Sequence, residues 1–292
     1  MFEGSMVAIV TPFKKGKVDE KALKSLIEWH IKSGTHAIIP CGTTVESATL
    51  DFDEHIRVME LTVKTVKGRI PVIAGTGANA TDEAVFLTKK AKEVGADGAL
   101  VVSPYYNKPT ADGLFQHYKK IADSVKGFPL ILYNVPGRTA QNVPPVVVAR
   151  IADACKNVVG IKEATGNMQQ VTELIRRCGS RFAVYSGDDF TNLPLFVLGG
   201  KGSISVTANV MPAECSQMWN AWDGGNLDAA RKIHYQLDEL NYAMFFETNP
   251  IPVKTALSLM GMVQEEFRLP LCRMSEEPRK RLVTVMKKYK LI

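Results

Sequence analysis

The chain has 292 residues, which suits one large domain or one domain with an appendage. Hydrophobic residues make up 46% and charged residues 23%, and no apolar run approaches the roughly 20 residues that a membrane helix needs. The net charge of +6 comes from basic residues spread along helical segments, without the dense stripe and interleaved aromatics of a nucleic-acid site. We therefore expect no membrane and no nucleic-acid partner.

The N-terminus has no basic region followed by an apolar stretch, so the expected compartment is the cytoplasm. The five cysteines lie far apart and form no C-x-x-C pair, and the five histidines form no H-E-x-x-H motif. This spacing predicts neither a disulfide framework nor a metal site.

Short apolar runs rich in β-branched residues recur every 20 to 35 residues or so. They predict eight strands, over residues 5–12, 36–42, 71–77, 98–104, 129–136, 158–165, 183–189 and 202–209. The segments between them have helical period, and Asp51 and Thr81 are predicted to cap two of those helices. Alternation of strand and helix also fits an open doubly wound sheet. The even spacing and the number of strands favour a (β/α)8 barrel.

No strand is predicted after residue 209, and the remaining chain has helical pattern broken near Asn249 and Pro250. We therefore predict a catalytic barrel over residues 1–224 and a C-terminal helical appendage over residues 225–292.

Lys162 is the most informative residue, because it interrupts an apolar run that otherwise predicts a buried strand. A buried ammonium loses its hydration, and lysine is the amine that enzymes use to attack carbonyl groups. The alternative is a strand-end lysine whose amine reaches water or pairs with Glu163.

In a barrel, catalytic groups lie where the strands end. Polar residues stand at or just after the ends of the predicted strands, at residues 42–47, 104–107, 133–139 and 205–209. Together with Lys162 they suit Schiff-base chemistry. Tyr133 is a candidate proton carrier, Thr43 and Thr44 are candidate donors to one carboxylate, and Arg138 is a candidate donor to a second.

Residues 75–80 read Gly-Thr-Gly-Ala-Asn-Ala and fit a dinucleotide-binding pattern, with Asp97 following at the expected distance. The motif lies in the third strand–helix unit, and no other feature of a dinucleotide-binding domain accompanies it. A nicotinamide-dependent oxidoreductase is therefore kept as an alternative from another class.

Five motifs in order resemble the dihydrodipicolinate synthase family over the whole chain. They are Gly-Thr-Thr-x-Glu-Ser at residues 42–47, Tyr-Tyr-Asn at 105–107, Tyr-Asn-Val-Pro-x-Arg-Thr at 133–139, Gly-Ile-Lys-Glu at 160–163 and Asn-Pro-Ile-Pro-Val-Lys at 249–254. The resemblance implies a lyase that condenses pyruvate with L-aspartate 4-semialdehyde in lysine and diaminopimelate biosynthesis.

The resemblance also implies roles for single residues. Lys162 would form the pyruvate Schiff base without any other cofactor, and Tyr133, Thr43 and Tyr106 would form a proton relay, with Tyr106 supplied by a neighbouring subunit of a homotetramer. The implied substrate-binding residues are Thr44, Arg138, Ile204 and Gly187. A candidate lysine-binding regulatory site would include Ser47, His55, Asn79, Glu83 and Tyr105.

Two departures from the family pattern affect these expectations. Val45 stands where the family has glycine, so either a left-handed backbone would strain a β-branched residue or Val45 would narrow the pocket, and an enzyme impaired by Val45 is kept as an alternative. Phe52 stands where lysine-sensitive members often carry a polar side chain, so we predict weak or absent inhibition by lysine. A related Schiff-base aldolase that acts on a sugar acid is a further alternative, since the N-acetylneuraminate lyases share the barrel but lack the Arg138–Thr139 pair.

Overall fold

Eight parallel strands form a closed barrel in the computed structural model, which describes residues 2–292. The barrel strands are β1 (Gly4–Ala8), β4 (Ala37–Ile39), β5 (Ile73–Gly75), β6 (Gly98–Val102), β7 (Leu130–Asn134), β8 (Val158–Glu163), β9 (Ala183–Ser186) and β10 (Gly202–Ser205). Their hydrogen-bonded order is β4-β1-β10-β9-β8-β7-β6-β5, and a bridge between Ile38 and Val72 joins the two end strands. The predicted barrel is confirmed.

Each observed strand is shorter than the predicted one, because the polar residues at its carboxyl end leave the sheet and form the loops of one rim. The structure also has a small antiparallel hairpin, β2 (Phe13–Lys14) with β3 (Lys17–Val18), that the sequence pattern did not predict.

Helices cover the barrel and continue past its last strand. They are α1 (Glu20–Lys32), α2 (Phe52–Val66), α3 (Thr81–Glu93), α4 (Ala111–Ser124), α5 (Pro136–Thr139), α6 (Pro145–Ala154), α7 (Met168–Cys178), α8 (Asn192–Val197), α9 (Pro212–Asp223), α10 (Leu227–Ala243), α11 (Ile251–Leu259) and α12 (Glu276–Lys288). None of the helices within residues 2–292 is long and apolar enough to cross a bilayer.

The ends of two helices test the capping predictions. The Asp51 side chain accepts a hydrogen bond from the Glu54 N–H at 2.8 Å, as an N-cap residue does. The prediction for Thr81 was wrong, since Thr81 is the first helical residue and its hydroxyl bonds instead to His117 Nδ1 at 2.9 Å. A tertiary contact has replaced the local cap.

Side chains alternate between two buried layers, as the period of two along a strand requires. The outward-facing residues pack under the helices in one large apolar cluster. The inward-facing residues fill the barrel and include Met6, Ile39, Leu100, Tyr133 and Ile204. The interior is therefore a packed core with its chemistry confined to one end.

Helices α10 and α12 pack on the barrel through residues of the same outer apolar cluster, and α11 lies against the loop that follows β4. Lys254 of α11 and Glu46 of that loop form an ion pair whose side chains are both fully buried. Removing one partner of a buried pair typically costs about 3–5 kcal/mol, so this pair fixes the C-terminal helices on the barrel rim. The division of the chain at residue 224 stays a prediction.

We predict that His30 makes the fold sensitive to acid. His30 is fully buried at the end of α1, with Nδ1 bonded to Thr35 at 3.1 Å, and burial lowers the pKa of its imidazole from 6.5 to about 3. Below about pH 6.5 the His30 imidazole binds a proton in the unfolded chain but stays neutral in the folded chain. The free energy of unfolding therefore falls as the pH falls toward 3. Between about pH 6.5 and 5 the expected loss is about 2 kcal/mol.

Denaturant titrations at several pH values measure this loss. His30→Asn should remove most of that pH dependence, whereas His234→Asn, at a half-buried site on α10, should change it less. An unchanged pH dependence in His30→Asn would show that His30 is not responsible.

Candidate active site

Lys162 lies inside the barrel near the carboxyl end of β8. Its register neighbours are Tyr133 on β7 and Tyr185 on β9, and its side chain is 5% exposed. The Nζ atom lies 4.4 Å from the centre of the Tyr133 ring. The amine thus faces the phenol ring of Tyr133 within an enclosed space.

Glu163, the next residue, faces the opposite side of the strand. Its carboxylate accepts hydrogen bonds from Asn134 and Gln170, each at 2.9 Å, and from the Thr165 N–H at 2.9 Å. Lys162 makes no ion pair with any residue between 2 and 292. The alternative in which Lys162 pairs with Glu163 is therefore wrong, because adjacent strand residues point to opposite faces.

Gly187, just after β9, packs against the Lys162 side chain, and Ile204 lies on β10, the next strand of the barrel. A Cβ atom on Gly187 would lie 2.8 Å from the Lys162 Cε atom, so only glycine leaves the lysine side chain its place. Asp188 follows, and burial together with neighbouring Asp189 raises the pKa of its carboxyl. Ile204 is 1% exposed and points into the barrel.

The loop after β4 carries both threonines in a short 3-10 turn, Thr43–Val45. Two residues of the loop, Cys41 with φ of 59° and Glu46 with φ of 56°, have left-handed backbone, whereas Val45 has right-handed geometry. Val45 is 1% exposed and does not line the cavity at the rim. The alternative of a left-handed, strained Val45 is therefore wrong, whereas narrowing of the pocket around Lys162 stays a prediction.

A cavity of about 480 Å³ opens between the barrel rim, helices α2 and α3, and the C-terminal segment. Thr43 and Arg138 both line it. Lys162 and Tyr133 are not among its lining residues and lie deeper in the barrel. Arg138, on α5, is exposed and donates through Nη2 to the Asn249 carbonyl at 2.8 Å.

Most of the candidate regulatory residues line the same cavity, namely Ser47, His55, Glu83 and Tyr105. Asn79 does not line it, and its carbonyl instead accepts a hydrogen bond from Asn107 at 2.9 Å. The His55 Nε2–H group donates to the Gly75 carbonyl at 2.8 Å, and burial lowers the pKa of the imidazole. Phe52 packs edge-on against Phe86, with the ring centres 5.5 Å apart.

Tyr106 differs from the other candidates because it is 90% exposed. Its φ of 73° is left-handed, which is unusual for a bulky residue and costs of order 1–3 kcal/mol. No hydrogen bond within residues 2–292 connects the hydroxyls of Tyr106, Tyr133 and Thr43. A single chain therefore brings Lys162, Tyr133 and Gly187 together but leaves Tyr106 exposed.

Three contacts at the rim were not predicted. The Asn249 side chain donates to Thr44 Oγ1 at 3.1 Å, and Lys254 pairs with Glu46. The buried Asp189 carboxylate accepts from the backbone N–H groups of Val206 and Thr207, each at 2.9 Å, and so fixes the chain after β10. For the contacts of Asn249 and Lys254, the signal in the sequence was the Asn-Pro-Ile-Pro-Val-Lys motif, to which no role had been given.

The glycines of residues 75–80 serve close packing. A Cβ on Gly75 would collide with the backbone of Cys41, and one on Gly77 with the backbone of Val102. This accounts for both glycines without a dinucleotide. No group of three or more His, Cys, Asp and Glu side chains within residues 2–292 is placed to hold a metal ion.

Comparison with known proteins agrees with this geometry. Residues 1–289 match the model of the dihydrodipicolinate synthetase family. The chain is 64% identical, over all of both chains, to 4-hydroxy-tetrahydrodipicolinate synthase of Thermodesulfovibrio yellowstonii.

Among solved structures, dihydrodipicolinate synthase of Aquifex aeolicus is 53% identical over 99% of each chain, with a TM-score of 0.98. The Acinetobacter baumannii enzyme, solved in complex with pyruvate, is 47% identical over all of both chains, with a TM-score of 0.97. The chain belongs to the dihydrodipicolinate synthetase family.

Proposed function

We propose that the protein is a class I lyase that condenses pyruvate with L-aspartate 4-semialdehyde to give 4-hydroxy-tetrahydrodipicolinate, in lysine and diaminopimelate biosynthesis. The observation that carries the proposal is the Lys162 amine, enclosed in the barrel beside Tyr133 with no carboxylate partner among residues 2–292. The family match and the 64% identical synthase support the choice of substrates.

The covalent steps follow from the amine. Lys162 adds to the ketone carbon of pyruvate, and loss of water leaves an iminium ion. Loss of a methyl proton then gives an enamine, whose carbon forms a bond to the aldehyde carbon of the second substrate. Finally, the amino group of that substrate attacks the iminium carbon, which closes the ring and releases Lys162. One water is lost overall.

Each of these steps moves a proton, and we assign that work to Tyr133, Thr43 and Tyr106. Tyr133 lies against the Lys162 amine, whereas Tyr106 projects into solvent in one chain. A second copy of the chain whose Tyr106 enters this rim would complete the relay. We therefore propose a homotetramer built from such dimers, in which an exposed and strained tyrosine acquires its contacts.

The two substrate carboxylates have separate candidate partners. Gly187, whose position packs against the Lys162 side chain, would hold pyruvate together with Thr44 and the main chain of Ile204. Arg138, at the cavity mouth, would bind the carboxylate of the semialdehyde. A sugar-acid aldolase gives Arg138 no role, and the comparisons do not favour that alternative.

The Schiff base on Lys162 would replace any other cofactor in this reaction. The expected compartment is the cytoplasm, which the five unpaired cysteines support, because reducing compartments keep thiols free.

Borohydride reduction in the presence of pyruvate tests the central residue. The chain as it stands, with Val45, should give a reduced pyruvate adduct on Lys162, found by intact mass and peptide mapping. Lys162→Ala should lose the adduct and lower turnover by orders of magnitude, because the nucleophile is gone. Lys201→Ala, at a surface ion pair with Glu3, should retain both.

If the unaltered chain gives no adduct, Val45→Gly is tested in the same way. An adduct that forms only in Val45→Gly would mean that Val45 blocks pyruvate. Absence of an adduct in both chains would contradict the Schiff-base proposal.

Mixed dimers test the shared relay. Tyr106→Phe subunits and Lys162→Ala subunits should each be nearly inactive, yet a hybrid dimer of the two should regain roughly half of the activity, because one site then has both Lys162 and the partner's Tyr106. The control hybrid pairs an unaltered subunit with one that carries both changes. It should be nearly inactive if the relay is shared, and half-active if each chain uses its own Tyr106.

Inhibition by lysine should be weak or absent. Phe52 is 48% exposed and packs on Phe86 in the wall where a polar side chain would meet an amino acid. Half-maximal inhibition at sub-millimolar lysine in a steady-state assay would show this prediction to be wrong.

A further inference from the structure

Asn249 is the residue at which the C-terminal segment meets both carboxylate partners. It is 5% exposed and lines the rim cavity. Its side-chain amide donates to Thr44 Oγ1 at 3.1 Å, and its backbone carbonyl accepts from Arg138 Nη2 at 2.8 Å. One residue outside the barrel strands thus touches the two side chains proposed to bind the two substrates.

The direction of the first hydrogen bond matters chemically. A hydroxyl has one proton to donate and two lone pairs that accept. Because the Asn249 amide donates to Thr44, the threonine accepts there, and its own proton remains free for another acceptor. The carboxylate of a keto acid accepts hydrogen bonds, so the Thr44 side chain can bind it only by donating that hydroxyl proton.

This direction leaves the Asn249 Oδ1 atom buried without a hydrogen-bond partner within residues 2–292. An unpaired buried acceptor carries a desolvation cost. If Thr44 donated to the asparagine, Oδ1 would be satisfied and the Thr44 proton would be consumed. The observed arrangement leaves Oδ1 unpaired and the proton available.

A second connection fixes Asn249 relative to the loop that carries Thr44. Lys254, one turn into α11, pairs with Glu46 and lies 4.3 Å from the centre of the Phe13 ring. Glu46 also accepts from the Arg268 N–H at 3.2 Å. Buried contacts therefore join the loop of residues 42–46 to the segment of residues 249–254 and hold the Asn249 amide next to Thr44.

We propose that Asn249 is a positioning residue for the reaction. It orients the Thr44 hydroxyl proton toward the keto acid carboxylate and holds the Arg138 guanidinium for the carboxylate of the second substrate. This inference rests on the proposed function, since it assigns Thr44 and Arg138 to those carboxylates.

Asn249→Asp tests it, because a carboxylate has nearly the same shape as the amide but no proton to donate. Thr44 would then donate to the introduced carboxylate instead of to substrate. At about pH 8 the KM for pyruvate should rise about tenfold or more, the size expected for loss of a hydrogen bond to a charged group. The concentration of pyruvate that gives half-maximal borohydride adduct should rise in parallel.

A pH series distinguishes orientation from a general structural effect. As the pH falls and the introduced carboxylate gains a proton, its hydroxyl can donate to Thr44 as the amide did, so the ratio of KM values for the variant and the unaltered enzyme should decrease. Asn157→Asp, which replaces an amide that donates to carbonyls at the opposite end of the barrel, should leave the pyruvate KM unchanged. An Asn249→Asp enzyme with the unaltered KM, or with a ratio that does not depend on pH, would overturn the inference.

If Asn249→Asp does not fold, a double-mutant cycle takes its place. Asn249→Ala should raise the pyruvate KM in the unaltered chain but not in a chain that already carries Thr44→Val, because the two side chains act through one hydrogen bond. Equal effects in both backgrounds would overturn the inference. The borohydride adduct on Lys162 is measured in the unaltered chain alongside, which separates the two proposals. If that adduct is absent, the proposed function fails and this inference fails with it.

Discussion

Burial of the Lys162 amine without a carboxylate partner is the constraint around which the site is built. An ammonium in that position would lose most of its hydration, and the Tyr133 ring lies close to it. The strand alternation that places Lys162 inside also places Glu163 outside, where Asn134 and Gln170 satisfy its carboxylate. The Lys162 amine therefore has no ion pair with Glu163, because the Glu163 carboxylate is hydrogen-bonded on the other face of the strand.

The barrel interior is filled with apolar side chains, and the polar groups lie at the rim. Met6, Ile39 and Leu100 fill the interior below the amine, so a ligand can reach it only from the carboxyl end. At that end the chain leaves regular structure in short turns. Buried polar contacts, such as Asp189 with the N–H groups after β10, hold those turns in place.

The C-terminal helices contribute to the same rim. Glu46 and Lys254 form a buried pair at the point where α11 meets the loop after β4, and Asn249 bonds to the threonine of that loop. These helices thus do more than cover apolar surface, since they complete the wall of the cavity. The backbone of Glu46, the residue that pairs with Lys254, is held in the unfavourable left-handed region, with a φ of 56°.

Local patterns were sufficient for the elements of the barrel and for many of the site residues. A period of two along the strands, the apolar stripes of the helices and the polar residues at the strand ends identified the eight strands and predicted that Lys162, Tyr133 and Arg138 share one end. The same patterns overextended the strands, because they do not show where a backbone leaves the sheet. Thr81 was misassigned because a contact with His117, 36 residues away, replaced the local cap.

The sequence by itself determined the barrel, the buried lysine and the family, because these follow from periodicity and from motifs of consecutive residues. Only the tertiary structure decided the contacts of Asn249 with Thr44 and of Lys254 with Glu46, which join residues 205 and 208 positions apart. It also decided that the left-handed residues of the loop after β4 are Cys41 and Glu46 and not Val45. The physical reason is that such pairings depend on how distant segments pack, and no local pattern encodes the side chain that each residue will meet.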